Sequence, residues 1–345
     1  MTTSALHQQV RRLIRKHGLC PPGSRVLVGL SGGSDSVALT LLLSDLAETG
    51  GFAIAGLAHL NHRLRDAACR DEQFCRDFAI RHALPFLTES VDIRGYSAAQ
   101  RLSVEAAARR VRYDFLERAA AKLGAGRIAV GHTQDDQAET FLLKLIRGAG
   151  LTGLAGIYPR RDSIVRPLLE TARDDLRQFL QERGEPWMED ETNADEDNPR
   201  NRLRHRIIPE LDRTSGGRTS PALARAAALI REDAVWLDQQ ADAKFSDLAV
   251  IRDGRLTDIA QYSGSDPPSR TVEFEVAGLV ALPPPLRHRV LLRALRICAE
   301  PREVGLPHVE AVQDVLEGTR GGADIPGGRV ELRRGMLVLL KQGTF

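Results

Sequence analysis

RVLVGLSGGSDSVALTLLLSDLA occupies residues 25–47. After Arg25, residues 26–30 form a short apolar, Val-rich run, the composition of a strand buried on both faces. Residues 37–47 are helical by length and composition. Between them, SGGSDS (31–36) lies where an open α/β sheet presents its ligand crevice. Gly32 and Gly33 let backbone N–H groups approach a bound anion closely. The following helix adds its positive N-terminal end, and Ser31, Ser34 and Ser36 add hydroxyl donors. No Gly-Lys-Ser/Thr occurs, so this is not a Walker loop. A tight strand–helix turn would explain a bare SGG. It does not explain Asp35 and Ser36 in the same strand context.

Outward from this stretch, strand and helix alternate. Residues 4–17 read as an amphipathic helix ending at Gly18. Further strand candidates are FAIAGLAHL (52–60), PFLTESV (85–91), RIAVGH (127–132) and SIVRPL (163–168). Ser103 caps a long helix that stops at Gly124. Thr133 caps another, from about Gln134 to Arg147, closed by Gly148. The expected fold class is α/β, a doubly wound, mostly parallel sheet with helices on both faces. Near residue 190 the pattern changes. WMEDETNADEDN (187–198) holds six acids, and PRNRLRHR (199–206) holds four Arg. TSGGRTSP (214–221) reads as a boundary. Residues 221–247 are helical in pattern, with Leu223, Ile230 and Leu237 alternating with Ala227, Ala234 and Ala241. After a linker at 263–269, VEFEVAGL (272–279) alternates like a strand. Two helices and a hairpin turning near Gly335 follow. The expected organisation is a nucleotide-binding catalytic domain over 1–213, a helical connector over 214–268 and a small α+β domain over 269–345.

Composition narrows the function. The 345 residues suit two or three domains. The net charge is only +2, so no whole-molecule field points to a nucleic acid. Five of the 48 basic residues are Lys, leaving 43 Arg. Codon bias and phosphate contact explain that imbalance equally well. No apolar run approaches the ~18 residues of a membrane helix, and residues 1–20 lack the apolar core of a secretory signal. The four cysteines form no CxxC pair and fit neither a disulfide framework nor a zinc site. A cytoplasmic location is expected.

Two further motifs follow predicted strands. HLNHRLR (59–65) packs two His, one Asn and two Arg just past a buried strand. A polar loop is the plain alternative, and no nearby ligand completes a zinc site with His59 and His62. In GHTQDDQAET (131–140), Asp135, Asp136 and Glu139 crowd the first helical turn beside His132. Capping and the helix dipole explain one or two of these acids. Asp136 and Glu139 share a helix face; they suit Mg²⁺ near phosphates or a substrate amine. Strands of one parallel sheet deliver all three loops to the same edge, which predicts a nucleotide site there. On SVEAAARRVRYDFL (103–116), Arg109 and Arg112 share a face and can reach a phosphate, or form a solvated stripe. Arg200, Arg202, Arg204 and Arg206 flank Ile207-Ile208, which suits a polyanion lying across the boundary as well as a solvated face.

SGGSDS resembles the PP-loop of the ATP pyrophosphatase superfamily, whose members cleave ATP between its α and β phosphates and adenylate a substrate oxygen. The combination is narrower. SGGSDS, HLNHRLR, SVEAAARRVRY, GHTQDDQAET, RGAGLTGL (147–154), IVRPLL (164–169), WMEDETN (187–193) and NRLRHRIIPEL (201–211) together resemble the tRNA(Ile)-lysidine synthase family. The likeness is dense over 24–211 and looser over 272–340. It implies that ATP adenylates O2 of the wobble cytidine of a CAU-anticodon tRNA(Ile), and that free L-lysine then displaces AMP. The tRNA then reads AUA and is charged with Ile. Ser31, Gly32, Gly33, Ser34, Asp35 and Ser36 are implied at the ATP phosphates, with Asp35 on Mg²⁺ or ordering the loop. Leu57 and Ala58 are implied to offer a strand edge to adenine, with His132 beside the loop. Arg112 is implied at phosphate or tRNA, Asp136 and Glu139 at Mg²⁺ or the lysine ammonium. Arg109, Arg200, Arg202, Arg204 and Arg206 are expected on tRNA. The family is often dimeric, and its longer members carry a further C-terminal domain that this chain is expected to lack. A tRNA thiolase, a small-molecule amide synthetase and a non-catalytic nucleotide-binding module are the rival readings. The thiolase is disfavoured because neither Cys69 nor Cys75 is expected to adjoin the loop.

Overall fold

The computed structural model describes residues 2–63, 68–189, 198–253, 270–299 and 303–341. The chain opens with α1 (Thr3–His17), capped by Thr2 and stopped by a left-handed Gly18. Next come β1 (Arg25–Gly29), α2 (Ser34–Gly50), β2 (Ala53–Asn61), α3 (Ala68–Arg81) and β3 (Phe86–Ser90). α4 (Ile93–Gln100), α5 (Val104–Leu123), β4 (Arg127–Ala129), α6 (Gln134–Ile146) and α7 (Leu151–Leu154) follow. β5 (Arg160–Arg161), β6 (Ile164–Val165) and α8 (Arg173–Glu182) complete the alternating region. Ser103 and Gly124 bound α5, and Thr133 caps α6, at the positions the sequence marks.

The first sheet has the order β3-β2-β1-β4-β6-β5. All pairings are parallel except β5 with β6. β1 therefore has β2 on one side and β4 on the other, and the chain leaves it in opposite directions. This is the switch point where such sheets hold ligands. Side chains alternate across the sheet with period two. Val26, Val28, Leu57, Ala129 and Val165 face one core with α1, α2, α3 and α8. Leu27, Leu60, Ile128, Val130 and Ile164 face another with α4 and α5. Two buried faces explain why the strands read as near-continuous apolar runs.

Past α8, α9 (Pro199–Arg202), a π-helical turn (Leu203–Ile207) and α10 (Ile208–Ser215) occupy the Arg-rich stretch. The 30-residue α11 (Thr219–Leu248) follows, and its three heptad-spaced alanines, Ala227, Ala234 and Ala241, are the fully buried ones. The chain divides into two compact units, residues 1–231 and 232–345. The second holds β7 (Val250–Asp253), β8 (Arg270–Glu275), α12 (Val276–Val280), α13 (Pro284–Ala299), α14 (Leu306–Leu316), β9 (Gly322–Ile325), β10 (Gly328–Arg333) and β11 (Met336–Lys341). Its sheet is antiparallel, in the order β7-β8-β11-β10-β9. The expected strand over 272–279 ends at Glu275, where the chain turns into α12, so its alternation outruns the strand. No helix among the described residues is long and apolar enough to cross a membrane.

One contact fixes the register of β2. The β1–β2 pairing slips between Val26 and Leu27, which makes a bulge opposite Ala55 and Gly56. A Cβ on Gly56 would lie 2.8 Å from both the Pro85 carbonyl oxygen and Leu123 Cδ1. Gly56→Ala should therefore destabilise the first unit by ~1–3 kcal/mol, the range for overpacking. Denaturant unfolding of the variant against the parent chain checks this.

Candidate active site

The loop after β1 is braced from inside. Gly32 sits at φ +91° and Gly33 is the N-cap of α2. The Ser31 N–H donates to Ser36 Oγ at 3.1 Å, and Ser36 Oγ donates to the Gly33 carbonyl at 3.0 Å. The Met188 N–H ties down the Gly32 carbonyl at 2.9 Å. No side chain caps α2, so its first N–H groups face the crevice with their donors available to an anion.

β4 brings the acids to that loop. A Cβ on Gly131 would come within 3.1 Å of the Asp35 backbone, so only glycine lets this turn press on the start of α2. Thr133 and Asp136 then form a capping box, with the Thr133 N–H donating to Asp136 Oδ2 at 2.8 Å. Arg173, from α8, binds across the gap. Its Nε donates to Asp35 Oδ2 at 3.1 Å and its Nη2 to Asp136 Oδ1 at 3.2 Å. Its backbone N–H takes Asp135 Oδ2 at 2.8 Å. Arg200 and Arg204, one turn apart, complete the cluster. Arg200 Nε donates to Glu139 Oε2 at 2.6 Å and Nη2 to Asp136 Oδ1 at 3.1 Å. Arg204 Nε donates to Glu139 Oε1 at 2.7 Å. Glu139 is 1% exposed.

The electrostatics follow. Burial pushes the Asp136 carboxyl up, but Arg173, His132 and Arg200 outweigh it and hold the pKa below the usual range. Burial dominates at Asp35 and raises it, with Arg173 opposing. Burial lowers the guanidinium pKa of Arg173, yet Asp136, Asp35 and Glu139 more than restore it.

The structure brings together Asp35, Asp136 and Glu139, as the shared sheet edge predicts. It also brings in Arg200 and Arg204, which were expected on tRNA. Four-residue spacing turns these two inward, while Arg202 and Arg206 lie exposed. Arg109 and Arg112 both lie against the Tyr113 ring, 5.1 and 5.3 Å from its centroid. Arg166 Nε donates to His132 Nδ1 at 3.3 Å. His59 is a buried strut whose Nδ1 meets the Leu30 carbonyl at 2.9 Å.

Three expectations need correction. Leu57 and Ala58 are not at a free edge, because β2 lies between β1 and β3. The Leu57 N–H donates to Pro85 O at 2.7 Å, and the Ala58 carbonyl accepts from Leu30 at 2.9 Å. β1 ends at Gly29 opposite Ala58, and β2 runs on to Asn61 without it. Mg²⁺ does not fit Asp136 and Glu139 as arranged. Their oxygens already accept from Thr133 and from guanidiniums, and a dication would meet three positive neighbours. Among the described residues, no group of three or more His, Cys, Asp or Glu is disposed to hold a metal. Finally, Cys75 does adjoin the loop, because α3 packs under it. Its Sγ would lie 3.4 Å from a Cβ on Gly32. Burial raises its pKa to about 12, so the thiol stays protonated and is no nucleophile.

Arg173 escaped the sequence reading. It follows no motif. The one signal was a cation in the first turn of a helix, where the dipole disfavours it.

Comparison with known proteins places this geometry. Residues 2–211 match the family described as PP-loop domain, and residues 274–338 match the TilS substrate binding domain. The chain is 34% identical over 338 residues to tRNA(Ile)-lysidine synthase of Geobacter sulfurreducens, covering 97% of this chain and 67% of that one. The chain belongs to the tRNA(Ile)-lysidine synthase family. A Thermus thermophilus member is 37% identical, covering 92% of this chain and 57% of its own. The Salinispora tropica member is also 37% identical, covering 97% and 96%. The chain thus spans nearly all of one lysidine synthase and little more than half of another. Among solved structures, the U34-tRNA thiolase NcsA from Methanococcus maripaludis shares the fold, with a TM-score of 0.54 at 15% identity, over 66% of this chain and 78% of that one.

The two histidines at this edge give a pH prediction. Burial, then Arg112, lower His62 to about 4, and burial lowers His132 as well. Unfolded imidazoles protonate near pH 6.5, so acid favours the unfolded chain. Stability should fall as pH drops from 7 to 5. His62→Asn should flatten that fall, and denaturant midpoints at the two pH values measure it.

Proposed function

We propose that this chain ligates the ε-amine of free L-lysine to C2 of the wobble cytidine of a CAU-anticodon tRNA(Ile), using ATP. The observation that carries the reading is the Arg173 clamp. One guanidinium joins the phosphate loop to a buried acid pair that suits an amine.

The roles follow from the residues. The ATP phosphates lie on the N–H groups of Gly33, Ser34 and Asp35, with Ser31 beside them. Adenine meets the β2 backbone beyond Ala58, where β1 has ended. Cytidine O2 attacks the α-phosphorus, and the bond to pyrophosphate breaks. Negative charge gathers on phosphate oxygens, where fixed N–H groups and guanidiniums stabilise it. The lysine nitrogen then bonds to C2, the C2–O2 bond breaks, and AMP leaves with that oxygen. Free lysine has an amine pKa of about 10.4 and must lose a proton first. Its ammonium exchanges for the Arg200 or Arg204 donors at Asp136 and Glu139. The guanidiniums that remain disfavour a further cation, and a carboxylate of the pair accepts the proton that the amine gives up. Arg202 and Arg206, on the exposed side, contact the tRNA backbone.

The test is a product count with ATP, Mg²⁺, lysine and CAU-anticodon tRNA(Ile). AMP and pyrophosphate should form only when tRNA is present, with one lysine incorporated per AMP. Turnover without tRNA, or sulfur uptake in place of lysine, would overturn the reading. Asp136→Asn should cut turnover at least a hundredfold and leave tRNA affinity intact. Arg202→Ala should do the reverse, weakening tRNA binding and reducing its salt slope by about one. Filter binding across a salt series, beside the turnover assay, separates the two.

A further inference from the structure

Two glycines in succession, Gly32 and Gly33, leave the peptide plane between them free to turn over with little steric opposition. Gly32 stands at φ +91° and Gly33 at φ −73°. The C=O and N–H of a trans peptide point opposite ways. Which of the two faces the crevice therefore decides what the loop can bind. With the Gly33 N–H inward, the loop offers a donor to an anion. Turned over, it would offer the Gly32 carbonyl, the negative end of a dipole, which repels phosphate.

The structure holds the first arrangement, and it does so from outside the loop. Hydrogen bonds within the loop fix the Ser31 N–H and the Gly33 carbonyl. The Gly32 carbonyl instead accepts from the Met188 N–H at 2.9 Å. The Gly33 N–H is thereby aimed the other way, where it meets Ser31 Oγ at 3.4 Å.

Met188 is itself anchored. α8 closes at left-handed Gly184, and residues 185–188 run from there to the loop as a strap. The Glu185 carboxylate lies 2.8 Å from Arg81 Nη2 and 3.6 Å from His82 Nε2, at the end of α3. Trp187 packs against the core beneath. α3 also carries Phe74 and Cys75, which enclose Gly32 together with Met188. A Cβ on Gly32 would lie 3.4 to 3.5 Å from all three side chains. One helix thus supports both the loop and the strap that orients it.

We propose that Met188 is a positioning residue for the nucleotide. Its backbone N–H locks the Gly32–Gly33 peptide with the Gly33 N–H toward the phosphates, and Glu185 holds the strap in place. The inference rests on the placing of the ATP phosphates given above, and on no step of the lysine chemistry.

Calorimetric titration of the full chain with ATP, in the absence of tRNA and lysine, tests it. Met188→Pro deletes the N–H and should weaken ATP binding by about tenfold, the worth of one hydrogen bond. Met188→Leu keeps the N–H and should bind ATP like the parent. In AMP formation, Met188→Pro should raise the KM for ATP and leave kcat at saturating ATP nearly unchanged, because bound nucleotide itself selects the inward peptide. Should Met188→Pro fail to fold, Glu185→Gln, which leaves every backbone donor in place, must weaken ATP binding by about threefold. Parent-like affinity in the folded proline variant, or an equal loss in Met188→Leu, overturns the proposal. A parent chain that binds no ATP overturns the placing of the nucleotide, and the proposal with it.

Discussion

Arg173 makes the crevice one object. Its guanidinium reaches Asp35 on α2 and Asp136 on α6, and its backbone N–H holds Asp135. α2 and α6 follow β1 and β4, the strands that flank the switch point. Without a cation between them, Asp35 and Asp136 would repel in a poorly solvated space; burial raises the Asp35 pKa, Arg173 opposes that rise, and Asp136 adds to it. The clamp turns two mutually hostile carboxylates into a fixed frame for the loop. A change at either acid is therefore felt at the other.

The crevice has two chemically distinct halves, and the pleat of the sheet separates them. On one side, Asp136 and Glu139 are matched against Arg173, Arg200 and Arg204, an arrangement of interleaved charge. On the α5 side, Arg166 and the arginines around Tyr113 have no acid among the described residues, and burial lowers the pKa of the neighbouring histidines. The first half holds its carboxylates by guanidiniums that another cation can replace. The second is suited to receiving negative charge.

Such a site carries a stability penalty. Buried ion pairs return little over apolar packing, and an incomplete one is destabilising. The first unit offsets this with two well-filled cores on either side of the sheet. The same burial explains the inertness of Cys75. Though it lies beneath the phosphate loop, the hydrocarbon around it keeps the thiol protonated, so it serves as packing.

Local rules were enough to read much of this chain. Short apolar runs located the strands of the first sheet, Ser103 and Thr133 marked helix starts, Gly18 and Gly124 marked helix ends, and the three polar loops fell on one sheet edge because parallel strands all point the same way. The acid pair on α6 was legible for the same reason, since residues three apart share a helix face. What the sequence could not decide was partnership across distance. Arg173 lies 138 residues from Asp35, and Arg200 lies 61 from Glu139; no periodicity connects them. Whether an arginine faces solvent or an acid depends on what packs opposite, so Arg200 and Arg204 could not be told from Arg202 and Arg206. Leu57 and Ala58 were misplaced for a related reason: a strand's own residues do not say whether both of its edges are taken. Secondary structure is set by neighbours in the chain, whereas charge pairing and edge exposure are set by neighbours in space.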